Sequence, residues 1–88
     1  MNFAFTPNGW EDYQFWNEND KKTRNKINDL LKDIARHGAL TGLGKPEPLT
    51  GQLAGFFSRR INDKDRLVYK IDSNTIIILS CRYHYSNQ

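Results

Sequence analysis

Ile27, Leu30, Leu31 and Ile34 recur at the i, i+3, i+4, i+7 spacing that lines one stripe of a helix. That stripe must be buried against another element, and a chain of 88 residues offers few candidates. There is room for one domain, residues 1–88, with one modest core. Beyond residue 55 the apolar pattern changes to strand-like runs, Phe56–Ile61, Arg66–Ile71 and Thr75–Tyr83. Asn62-Asp63-Lys64-Asp65 and Asp72-Ser73-Asn74 separate them. These strands are the natural partners of the stripe.

The remaining elements follow from local signals. Asn2-Phe3-Ala4-Phe5 reads as a short strand. Thr6 and Pro7 fit a helix entry, with threonine as N-cap and proline at the first helical position. Glu11 and Asp12 follow in the early turns, where the helix dipole favours carboxylates. This helix runs to about Glu18 and carries Trp10, Tyr13 and Trp16. Asp20 caps the second helix and Gly38 ends it. With almost nothing between them, the two helices form a hairpin. From Thr41 to Gly55, Gly42, Gly44, Pro46, Pro48 and Gly51 punctuate an irregular, ordered loop. The expected fold is α+β, in the order β-α-α-β-β-β, with the helical hairpin packed on one face of an antiparallel sheet.

Strand alternation assigns faces once the loop lengths are fixed. A four-residue loop pairs Ile61 with Arg66, and a three-residue loop pairs Ile71 with Thr75. Leu67, Tyr69, Ile71, Ile77, Leu79 and Cys81 then share an apolar face toward the helices. Arg59, Arg66, Lys70, Arg82 and His84 share a basic, uncovered one. The assignment depends on parity, because a slip of one residue moves a whole strand to the other side.

Charge supports a basic face. Residues 1–40 are balanced between Lys/Arg and Asp/Glu, so the net charge of +3 resides in residues 41–88. That half suits an anionic partner. The single cysteine, Cys81, excludes an internal disulfide framework and reads as a small buried hydrophobe. The start of the chain lacks the basic and apolar regions of a signal peptide, and no stretch reaches membrane-spanning length, so the cytoplasm is the expected location and no membrane is a partner. No His/Cys/carboxylate spacing supplies a metal site, and no Gly-Lys-Ser/Thr pattern supplies a nucleotide loop. Neither metal nor cofactor is expected. His37 falls at the end of the second helix, where the dipole accounts for it.

Several segments together resemble one family. Gly44-Lys45-Pro46-Glu47-Pro48-Leu49, Leu53-x-Gly55-Phe56 with Ser58-Arg59-Arg60-Ile61, Arg66-Leu67-Val68-Tyr69 and Cys81-Arg82-Tyr83-His84-Tyr85 are similar to the YoeB/Txe toxins of the RelE/ParE superfamily. The likeness extends to the Trp10-x-Asp12-Tyr13-x-x-Trp16 helix and to Lys26-Ile27-Asn28. The chain departs from the family at Thr50, where a basic residue is common, and at Phe57, where tryptophan is common.

The resemblance implies a RelE-like fold and a ribosome-dependent endoribonuclease that cuts mRNA in the A site of the 70S ribosome. It also implies a YefM-type antitoxin as inhibitor, with a homodimer as a further assembly. Glu47 is then expected as general base, Arg66 as the phosphate-stabilising cation and His84 as general acid. Tyr85 is expected to line the site or stack on a base. Arg59, Lys45 and Arg82 are expected to contact RNA phosphate.

The residue types suit that chemistry. Attack of a ribose 2'-hydroxyl on the adjacent phosphate gives a 2',3'-cyclic phosphate and a 5'-hydroxyl. A carboxylate can accept the first proton, and the prolines flanking Glu47 stiffen its placement. Arginine offers a planar fork to two phosphate oxygens. Histidine is the side-chain type that titrates near neutrality and so can donate to the leaving oxygen. Two alternatives stay open: a ParE-like toxin acting on a protein target without cutting RNA, and a non-catalytic RNA-binding module.

Overall fold

A computed structural model describes residues 1–84. Its elements run β1 (Asn2–Phe5), α1 (Pro7–Asn19), α2 (Lys21–His37), β2 (Glu47–Pro48), a 3-10 turn (Gly51–Leu53), β3 (Phe57–Arg60), β4 (Arg66–Asp72) and β5 (Thr75–Ser80). The five strands form one sheet in the order β1-β5-β4-β3-β2. The α+β class and the two packed helices hold. The sheet is mixed rather than antiparallel, because β1 pairs with β5 in parallel, Phe3 opposite Ile76 and Phe5 opposite Ile78.

The helix boundaries lie where short-range chemistry put them. The Gly9 N–H donates to Thr6 Oγ1 at 3.0 Å, and the same hydroxyl donates to the Leu79 carbonyl at 3.0 Å. Asp20 ends one helix and begins the next. Its N–H donates to the Trp16 carbonyl, and its carboxylate accepts from the Thr23 N–H at 3.1 Å. Gly38 closes α2 at φ 91°, a conformation glycine adopts without strain. Gly9 lies so close to β5 that a Cβ there would collide with the Ile78 carbonyl. Asp12 is not held by the helix dipole: its carboxylate accepts the Cys81 N–H.

The stripe of α2 meets the sheet as anticipated. Ile27, Leu30 and Ile34 are fully buried with Leu67, Tyr69, Ile76, Ile78 and Cys81. Tyr13, Trp16 and Phe57 pack at the margin of this cluster. Burying such an aliphatic side chain contributes about 1.5–3 kcal/mol, so this one layer supplies much of the stability.

Both loop lengths differ from expectation, and the faces change with them. Arg60, not Ile61, stands opposite Arg66. The Ile61 N–H donates to the Asp65 carbonyl, while Asn62 Oδ1 accepts the N–H groups of Lys64 and Asp65. Ile61 therefore belongs to the turn. At the second turn Asp72 pairs with Thr75, leaving only Ser73 and Asn74 between them. Each one-residue slip reverses a strand. Ile76 and Ile78 face the helices, whereas Ile77 and Leu79 point away. A bulge follows, with Tyr69 opposite Ile78 and Val68 opposite Ser80. Its extra residue, Leu79, returns Cys81 to the core face.

The largest consequence falls on Arg59. It lies opposite Leu67 on the core side, with no exposed surface. Arg60 takes its place on the outer face.

Candidate functional site

Paired residues of an antiparallel ladder share a face, so the register defines the sheet face turned away from the helices, which is buried at its centre, at Ser58 and Val68. Glu47, Ser58, Val68 and Ser80 form one row across β2, β3, β4 and β5. The Arg60–Arg66 pair lies in the next row. Strand spacing puts Glu47 about 10 Å from β4.

Glu47 reaches this surface because the loop is tied down on both sides of it. The Arg60 N–H donates to the Gly44 carbonyl at 2.7 Å and the Leu49 N–H donates to the Phe56 carbonyl at 2.9 Å. Leu49 is buried, while Lys45 and Glu47 are exposed. Lys45 holds a left-handed φ of 52°, which turns the chain just before Pro46.

Arg66 opens β4 and is 9% exposed. Its Nη1 donates to the carbonyls of Asn62 at 2.9 Å and Asp65 at 3.2 Å. Among the described residues, Nε and Nη2 have no protein acceptor. One edge of the guanidinium is thus fixed by backbone, and the other keeps donors for an anion.

The segment after β5 is fastened twice. At Cys81, the N–H donates to Asp12 Oδ2 at 3.0 Å and the carbonyl accepts from Trp16 Nε1 at 2.8 Å. At Tyr83, the N–H donates to Asp65 Oδ1 at 2.6 Å and the carbonyl accepts the Arg66 N–H at 3.1 Å. His84 follows, exposed at the mouth of a cleft of about 440 Å³ lined by Phe15, Trp16, Asp65 and Tyr83 among others. The structure thus joins Arg66 and the His84 segment through backbone and places Glu47 on the same sheet face, two strands from β4. Tyr85 lies outside the described residues.

The other expected phosphate ligands divide. Arg82 lies between two rings, its guanidinium carbon 3.4 Å from the Phe15 centroid and 4.5 Å from that of Tyr83. Arg59 must be withdrawn. Its Nε donates to the Tyr69 hydroxyl, Nη1 to Asp33 Oδ2 and the Leu43 carbonyl, and Nη2 to the Gly38 and Thr41 carbonyls. All five donors are used inside the protein, at a site with no exposed surface. The outward arginine is Arg60, exposed, its side chain without a hydrogen bond or ion pair among the described residues. Its sequence signal was Asn62 followed by Asp65, an Asx-type turn that draws Ile61 into the loop.

Electrostatics separate buried groups from usable ones. Burial pushes the Cys81 thiol up to about 12, reinforced by the charges of Asp12 and Asp65. A thiol so held does not serve as a nucleophile near neutrality. Burial also raises Asp12, against the opposing Cys81 N–H. Asp33 is lowered by the Leu43 N–H and then by Arg59. Among the described residues, no three His, Cys, Asp or Glu side chains converge as a metal site, and no helix is long and apolar enough to cross a membrane.

Comparison with known proteins gives a consistent result. Residues 5–85 match the model of a family described as YoeB-like toxin of bacterial type II toxin–antitoxin system. A Toxin YoeB from Streptomyces coelicolor is 52% identical over 97% of this chain and 100% of that protein. A Staphylococcus aureus chain, solved in a heterotetrameric YoeB–YefM toxin–antitoxin complex, superposes with a TM-score of 0.91 at 55% identity, covering 97% of this chain and 98% of that one. The S. aureus YoeB dimer superposes equally well, with a TM-score of 0.91, 55% identity and the same coverage of both chains.

Proposed function

Because this chain belongs to the YoeB-like toxins of bacterial type II toxin–antitoxin systems, we propose that it is an endoribonuclease that cuts mRNA in the A site of the 70S ribosome and so inhibits translation. The observation that carries this reading is Arg66. It is largely buried, anchored along one edge to backbone carbonyls, with its remaining donors unclaimed among the described residues and its N–H bonded to the Tyr83 carbonyl beside His84. An arginine so fixed is prepared for a phosphorane before substrate arrives.

In this reading Glu47 takes the proton of the ribose 2'-hydroxyl as its oxygen attacks the adjacent phosphorus. The bond from phosphorus to the 5'-oxygen breaks, and His84 supplies the proton that oxygen needs. The products are a 2',3'-cyclic phosphate and a 5'-hydroxyl. Arg66 holds the non-bridging oxygens through the charge build-up. Arg60, Lys45 and Arg82 contribute positive potential along the RNA path, and Tyr85 offers a ring for stacking on a base.

The small site leaves positioning of the RNA to the ribosome, since orientation accounts for a large share of such barriers. The idle toxin binds a YefM-type antitoxin, as its S. aureus relative does in the complex, and forms a dimer, as that relative also does.

The test is end-mapping on translated and naked mRNA with purified protein. Cleavage within codons in the A site, leaving 5'-hydroxyl ends, on translated mRNA alone is the expected result. Inhibition of growth without cut mRNA would favour a ParE-like action on a protein target. Equal cutting of naked RNA would remove the ribosome from the mechanism.

A further inference from the structure

Tyr83 is a non-glycine residue in the left-handed region, φ 65°, at an exposed position immediately before His84. Its own side chain does not impose that conformation, because an exposed tyrosine is free to relax toward the favoured negative φ. What holds it is a pair of consecutive residues, Asp65 just before β4 and Arg66 at its start. Asp65 Oδ1 accepts the Tyr83 N–H at 2.6 Å, and the Arg66 N–H donates to the Tyr83 carbonyl at 3.1 Å.

These two bonds act on different peptide planes. The Tyr83 N–H lies in the plane joining residues 82 and 83, and the Tyr83 carbonyl lies in the plane joining 83 and 84. Fixing both planes fixes both backbone torsions of Tyr83. The second plane also carries the His84 nitrogen and leads directly to its Cα. The direction in which His84 leaves the backbone is therefore set from Asp65 and Arg66, and Arg66 is the residue that faces the phosphate. Only one of the two bonds depends on a side chain.

We propose that Asp65 is a positioning residue: its carboxylate locks Tyr83 in the left-handed conformation and thereby aims His84 at the leaving oxygen beside Arg66. This rests on the RNA-cleavage reading above. Asp65 is suited to the task because it is itself immobilised. It is 9% exposed, its N–H donates to Asn62 Oδ1 at 2.7 Å, and its carbonyl accepts the Ile61 N–H at 3.0 Å. Without the carboxylate, Tyr83 keeps a single anchor and its φ is free to change sign, which swings the His84 backbone away. Misplacement of a catalytic group by about 1 Å can cost about 100-fold in rate.

The experiment is single-turnover cleavage of mRNA on programmed ribosomes at saturating protein, with ribosome affinity and thermal melting measured in parallel. Asp65→Ala should slow the chemical step by about tenfold to a hundredfold with affinity unchanged. Asp65→Asn, whose amide oxygen still accepts the Tyr83 N–H, should retain most of the rate. The same bond can be cut from its exposed side, outside the core. Tyr83→Pro lacks the N–H and cannot reach a positive φ, so it should behave like Asp65→Ala, whereas Tyr83→Ala keeps the donor and should cleave faster than Tyr83→Pro. This second pair carries the test if Asp65→Ala does not fold.

Parental cleavage rates in Asp65→Ala and Tyr83→Pro would overturn the proposal, and so would equal losses in Asp65→Ala and Asp65→Asn. A parent chain that fails to cut translated mRNA would instead overturn the functional reading on which it stands.

Discussion

Arg59 Nη1 lies 2.7 Å from Asp33 Oδ2, and the guanidinium has no exposed surface. This pair joins β3 to α2. Through the carbonyls of Gly38, Thr41 and Leu43 it also gathers the loop that leaves the second helix. Two neighbouring arginines therefore do opposite work. Arg59 holds the fold together from within, and Arg60 presents its charge on the outer face.

Replacing each arginine in turn should separate the two roles. Lysine at position 59 keeps one charge but cannot reach five acceptors, so several buried oxygens lose their donors. We expect Arg59→Lys to lose about 3 kcal/mol of stability and more than about 10 °C in melting temperature. Arg60→Gln should melt like the parent and instead weaken cleavage at subsaturating protein. Equal melting of the two variants would show that the buried network is not a principal support of the fold.

Asp33 should give the acid limb of stability a measurable part. Its folded pKa lies below its ordinary value, so in the acid range the unfolded chain binds the proton more readily. The stability it contributes is complete above about pH 4 and is lost as pH falls through the folded pKa. Asp12, raised by burial, works in the opposite direction. Melting temperature measured from pH 6 downward should fall less steeply for Asp33→Asn than for the parent. Parallel curves would assign the acid sensitivity to other groups.

The assigned chemical roles predict a specific pattern in single-turnover cleavage. Glu47→Gln and His84→Gln should each lower the rate by about 10²–10⁴. Arg66→Lys keeps the charge but loses the fork, and should cost about 10²–10³. Ribosome affinity should persist in all three. Losses of affinity and rate in step would make these side chains docking groups and remove them from the chemistry.

Cys81 should be chemically silent in the folded chain. Its thiol is raised to about 12 and is fully buried. Iodoacetamide at neutral pH should label it only as fast as the protein unfolds, and at once in denaturant. Rapid labelling of the native chain would contradict the buried placement of this residue.

The helix boundaries were legible in the sequence because capping acts over three or four residues. Thr6, Asp20 and Gly38 each meet a partner on the same helix. The stripe of Ile27, Leu30, Leu31 and Ile34 was equally plain, since helical periodicity does not depend on what the stripe packs against. The roles proposed for Glu47, Arg66 and His84 came instead from the resemblance of their motifs, not from periodicity or capping.

What the tertiary structure decided was parity. Arg59 and Arg60 are adjacent and chemically identical, and which one turns inward depends on whether Ile61 belongs to the strand or to the turn. The same uncertainty reversed β5, and the bulge at Leu79 then restored Cys81 to the core. The parallel pairing of β1 with β5 joins residues more than seventy positions apart. Asp12 anchors Cys81 across 69 positions, and Asp65 pins Tyr83 across 18. Strand alternation has a period of two, so one extra residue in a loop inverts every side chain beyond it. Long-range contacts, more than local preference, settle whether that residue is present.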